Sequence, residues 1–125
     1  MGLSEQDDGQ RRIQGKAVDS EPEWFAGLAL LKAGWDFEYQ SGYFGGQFTS
    51  GGIVVDFRVF TKPKAKLWFI DGEYWHGSST GRAQDAFERA KLQAASGLEI
   101  LATPASELTT QEDAESVVLK LFGRN

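Results

Sequence analysis

Two β-rich runs lie only a few residues apart in this chain, and no other feature limits its fold so sharply. Residues 53–60 carry Ile53, Val54, Val55, Phe57, Val59 and Phe60, and residues 65–71 carry Leu67, Trp68, Phe69 and Ile70. Side chains of this kind suit a pleated, half-buried surface. Thr61-Lys62-Pro63-Lys64 separates the runs, and its proline presets a turn. A β-hairpin is expected. One residue in it is out of character. Asp56 is a lone acid inside an apolar strand, costly there unless it holds a metal or a hydrogen bond.

The segments around the hairpin follow from local signals. Ser20 is a candidate N-cap, with Pro22 in the first turn and Glu23 placed to complete a capping box. Trp24, Phe25, Leu28, Leu30 and Leu31 then supply an apolar stripe, and Gly34 is placed to end the helix. Residues 35–39 read as a short strand. Residues 41–52 hold five glycines and three aromatics and read as a mobile loop or open turn; no Gly-Lys-Ser or Gly-Lys-Thr ending marks a phosphate loop. A helix over 82–95, a strand over 98–102 and a last helix capped by Thr110 complete the order. In that last helix Ala114, Val117, Val118 and Leu121 share a face. Helix, three strands, helix, strand, helix describes an α/β sandwich around a mixed sheet. Residues 1–19 lack apolar periodicity and read as a flexible tail, leaving 20–125 as a single domain.

Composition bounds the function. A chain of 125 residues has room for one core. It contains no cysteine, which excludes disulfides and thiolate zinc sites. No apolar run approaches a membrane span, and the polar start has no signal-peptide centre, so an intracellular location, cytoplasmic or in the host cytoplasm of a virus, is expected. The formal net charge is −5, from 18 acids and 13 bases, which counts against a broad phosphate-binding surface. It does not count against a metal-dependent site, which needs carboxylates of its own.

The densest chemical signal is Ile70-Asp71-Gly72-Glu73-Tyr74-Trp75-His76, where a β-run ends in two acids, two aromatics and the chain's only histidine. Strand ends are where open α/β sheets place their sites. Phosphodiester hydrolysis needs a hard divalent cation on oxygen ligands and a proton-transfer group titrating near neutrality. Asp56 suits the first role and His76 the second.

These blocks resemble the very-short-patch mismatch-repair endonucleases and the EDxHD homing-endonuclease domains, a branch of the PD-(D/E)XK superfamily. The resemblance rests on Glu23-Trp24 in a helix reaching Gly34, on Asp56-Phe57, and on Gly72-Glu73-Tyr74-Trp75-His76, in that order, and spans residues 20 to about 103. It implies a restriction endonuclease-like three-layer α/β/α sandwich with a small mixed sheet and a DNA endonuclease dependent on Mg²⁺ or Mn²⁺. Asp56 would be the metal-binding carboxylate and the Ile70 backbone carbonyl a second ligand. His76 would activate water, and Glu23 would orient His76 or a metal-bound water. Trp75, with Tyr74, matches aromatics that wedge into the base stack. Phe69-Ile70-Asp71 stands where the superfamily has Glu-x-Lys, which makes Asp71 a further candidate ligand. Asp85 is a candidate for the second acid of the EDxHD pattern.

Each of these residues also has a structural explanation. Glu23 serves the capping box, and Tyr74 and Trp75 suit a core or an interface. Lys62, Lys64 and Lys66 read as a solvated turn face; with Arg82 or Arg89, and Arg11, Arg12 and Lys16, they are the candidates for phosphate contacts. The rival reading is a catalytically inactive subunit of endonuclease fold with a DNA-binding or assembly role, favoured by Phe69 and by the acidic charge. DNA is the expected partner, together with a second copy of the chain or a targeting subunit.

Overall fold

A computed structural model describes residues 3–5, 10–18, 20–72 and 79–125, giving only the backbone for 3–5, 48 and 79–82. Three short strands come first, β1 (Leu3–Glu5), β2 (Arg11–Ile13) and β3 (Lys16–Ala17), paired antiparallel in that order. Helix α1 (Glu21–Lys32) follows, then β4 (Phe37–Tyr43), β5 (Ile53–Val59) and β6 (Lys66–Asp71). Helix α2 (Ser79–Ser96) leads to β7 (Glu99–Pro104), and α3 (Gln111–Leu121) ends the order. Strands β4 to β7 form a four-stranded sheet in sequence order. Its first two pairings are antiparallel, and α2 carries the chain across so that β7 joins β6 in parallel. This is a mixed α/β fold, with the expected hairpin over β5 and β6.

Local chemistry sets the helix ends. The Ser20 hydroxyl accepts from the Glu23 N–H, and at the other end the N–H of Gly34, at φ +87°, bonds the Leu31 carbonyl. Thr110 caps α3 by accepting from the Asp113 N–H at 3.1 Å. The buried face of α1 is rotated from the expected stripe. Ala26, Ala29 and Leu30 face the core, while Leu31 is exposed. Small residues there let α1 lie close to the sheet and to α3.

The core has two parts. One gathers α1, α3 and the sheet residues Phe37, Tyr39, Phe57, Val59 and Trp68. The other gathers Leu92 of α2 with Ile53, Val55, Leu67 and Phe69. Trp68 anchors the first. It is fully buried, its ring lies 5.6 Å from Phe57 and 5.4 Å from Phe122, and its indole N–H donates to Thr103 Oγ1 at 2.9 Å.

The segment read as a flexible tail differs in the structure. Residues 11–17 form a hairpin, and Ile13 and Val18 are buried in the first core. At its turn Gln14, at φ +53°, meets the free edge of β4. Its side-chain amide donates to the Phe37 carbonyl at 2.6 Å and accepts from the Tyr39 N–H at 2.8 Å. One amide therefore satisfies an edge strand as a neighbouring strand would, and blunts it against association. A segment this polar shows no periodicity because its anchoring is shared between two buried residues, Ile13 and Val18, and the side chains of Gln14 and Lys16. The glycine-rich stretch is also more ordered than expected, since β4 runs to Tyr43 and residues 46–48 make a short 3-10 turn.

Candidate active site

The site lies where the hairpin opens. The β5–β6 ladder pairs Val59 with Lys66, Arg58 with Leu67 and Phe57 with Trp68, and goes no further. Continued in register, it would next set Val55 against Ile70 in hydrogen-bonding position. Instead the Ile70 N–H donates to Asp56 Oδ2 at 2.7 Å. A side-chain carboxylate has replaced a main-chain partner, and the strands part there. In a regular strand a residue's carbonyl points to the same side as its N–H, which would aim the Ile70 carbonyl at the same gap.

The neighbouring strand explains the opening. Tyr39 pairs with Phe57 and Ser41 with Val55, so Gln40 lies opposite Asp56. Gln40 is at φ +55°, in the left-handed region. Across this point the strand changes face. Val55 and Phe57 would share a face of a regular strand, yet Val55 packs in the α2 core and Phe57 in the α1 core. Asp56 sits on the seam between them.

Its surroundings are acidic. Burial pushes the Asp56 carboxyl up from 3.8 to about 7, and the carboxylates of Glu23 and Asp71 push the same way. The Ile70 N–H and, more weakly, Arg89 act against the rise. Glu23 reaches this region from α1, and its Oε1 accepts a hydrogen bond from the buried Tyr39 hydroxyl. Asp71, a candidate ligand from the sequence, is otherwise engaged. Arg89 of α2 grips both its oxygens, one at 3.1 Å, and lies 4.3 Å over the Phe69 ring. A cleft of about 250 Å³ opens beside these groups, lined by Ile70, Asp71, Asp85, Glu88 and Arg89.

Asp56, the Ile70 backbone and Glu23 are thus brought to one region. His76, Tyr74 and Trp75 lie outside the described residues, as does the side chain of Arg82. Lys62 and Lys64 are exposed beyond the closed end of the hairpin, and Lys66 pairs with Glu99 at 3.7 Å. Three strand residues, about 10 Å, separate that end from Asp56. These lysines do not face the carboxylate. Among the described residues no three His, Asp or Glu side chains are grouped to hold an ion. Tyr39 and Gln40 are the residues that sequence reasoning missed. Tyr39 stood only at the end of an expected short strand, and no residue-type signal marks a positive φ at a glutamine.

No family model matches the chain, and no curated protein or solved structure is significantly similar to it.

Proposed function

We propose that this chain is a divalent-metal-dependent DNA endonuclease, its fold a small restriction endonuclease-like sandwich, with Asp56 at the centre of its site. The observation that carries the reading is the break in the β5–β6 ladder, where a half-buried carboxylate takes the Ile70 N–H and the Ile70 carbonyl would face the same gap. Oxygen donors of that kind suit Mg²⁺ or Mn²⁺. The Ile70 N–H holds one Asp56 oxygen and leaves the other for a cation. A carboxyl pushed up to about 7 by burial gains most from a cation beside it. When bound, the ion stabilises charge developing on a phosphate. Glu23, steadied by Tyr39, supplies a second carboxylate from the α1 side. Arg89 neutralises Asp71, which limits the repulsion a phosphate would meet at the cleft. His76 is proposed as the proton-transfer group, on the sequence resemblance alone.

Incubation of the purified protein with supercoiled plasmid and Mn²⁺ tests the reading. Nicking is expected, with a loss of at least a hundredfold in Asp56→Ala and in His76→Ala. Plasmid left intact by the parent protein, or cut as fast by Asp56→Ala, contradicts it.

The Arg89–Asp71 pair also supports a second reading, a subunit of the same fold that has kept DNA binding or assembly and lost chemistry. In that case Mn²⁺ neither binds near Asp56 nor raises the melting temperature.

A further inference from the structure

A second groove adjoins the cleft that holds Asp71 and Arg89. About 720 Å³ in volume, it is lined by Lys16, Gln40, Gln47, Val54 and the backbone of Gly45 and Gly46. Three observations bear on its use. Among the described residues no acidic side chain lines it, although the chain carries 18 acids, and an ammonium group does. Lys16 is held in place there, with Nζ donating to the Tyr39 carbonyl at 2.7 Å and the Gln40 carbonyl at 3.2 Å. At the turn that bears the groove's glycines, Phe44 is 40% exposed, and Lys91 Nζ lies 4.4 Å from its ring centre. Exposed aromatics beside a cation are what a nucleobase stacks on, and amides and ammonium groups suit the phosphates and base edges that follow. The groove also adjoins the cleft beside Asp71 and Arg89. Val54 lines both clefts, and Gln40 is the residue opposite Asp56.

The glycines have a different cause. A Cβ at Gly52 would fall 1.8 Å from the Gly46 carbonyl oxygen, and one at Gly45 would fall 2.2 Å from Thr49 Oγ1. They are needed for the loop to close on itself, and the ligand argument rests on Phe44, Lys16 and Lys91.

We infer that this groove binds a single strand of DNA, with a base stacked on Phe44 and the backbone passing Lys16 and Val54 toward Asp56. The inference deepens the nuclease reading and takes the strand's destination from it. A stacking platform needs a base free of its partner, so the preferred substrate is a single-stranded or frayed segment and not an intact duplex.

Fluorescence polarisation of a labelled 15-nucleotide oligothymidylate, in EDTA at low salt, tests it without any chemistry. The Asp56→Asn protein is expected to bind the oligonucleotide at least as well as the parent does. Phe44→Ala should weaken binding about tenfold, with Phe44→Trp restoring it, and Lys91→Gln should lower the salt dependence by roughly 0.7 in the log–log slope. Phe87→Ala removes an equally large exposed aromatic from α2 and should bind as the parent does. The same sequence as a duplex should bind at least tenfold more weakly. Absence of binding, a Phe44→Ala protein within twofold of the parent, or equal loss in Phe87→Ala overturns the proposal. Plasmid nicking is scored separately. Phe44-dependent binding without nicking keeps the groove and removes the nuclease, whereas nicking without Phe44 dependence does the reverse.

Discussion

The two ends of one hairpin behave as different materials. At the closed end Phe57, Val59, Lys66 and Trp68 keep a regular register, and their apolar members pack into a single core. At the open end, three residues along, the ladder stops, the strand changes face and a carboxylate takes a backbone N–H. The closed end is stabilised by burial, which is spread over many contacts and rewards any well-shaped apolar residue. The open end also buries Ile53, Val55 and Phe69 in the second core, but there β5 meets β6 through a directed polar contact at Asp56, whose burial costs free energy in the absence of a cation. Regular pairing is concentrated at one end and the buried carboxylate at the other.

Substitutions at the two ends should therefore have opposite signs. The largest effect belongs to the closed end. Trp68→Ala empties a fully buried site and strands the Thr103 hydroxyl, at a cost of about 4 kcal/mol in chemical denaturation. A loss below about 1 kcal/mol would show that the closed end does not carry the core.

At the open end, Asp56→Asn should stabilise the protein. Folded Asp56 keeps its proton up to about pH 7, whereas the unfolded chain releases it near 3.8, so the folded state binds more protons between those values. Stability of the parent accordingly falls as pH rises through that window, and the asparagine variant escapes the fall. Its advantage should grow from near zero at pH 4 to as much as about 4 kcal/mol at pH 8 in metal-free buffer. A variant less stable than the parent at pH 8 would mean that the Asp56–Ile70 bond outweighs desolvation.

The smallest effect lies outside both ends. Gln14→Ala opens the edge of β4 and should cost about 1 kcal/mol. The more telling readout is self-association on sizing, since an uncovered edge invites pairing.

The sequence made one of these ends far more legible than the other. Runs of β-branched and aromatic residues around a proline turn mark β5 and β6. Asp56 could be singled out because an acid breaks that pattern. Its partners could not. The Ile70 N–H carries no side-chain label, Gln40 carries its backbone conformation invisibly, and Arg89 meets Asp71 only through the crossover of α2. The N-terminal hairpin escaped notice for a related reason. Its hold on the sheet comes from Gln14, Lys16 and the buried Ile13 and Val18, too few apolar residues to make a period.

The central claim is that the gap between Asp56 and Ile70 holds a divalent cation, and crystals soaked in Mn²⁺ put it to the most direct test. An anomalous peak is expected about 2.2 Å from the free Asp56 oxygen and from the Ile70 carbonyl oxygen, and absent from Asp56→Asn crystals. No peak at saturating Mn²⁺, or a peak held by other residues and unchanged in the variant, would contradict it.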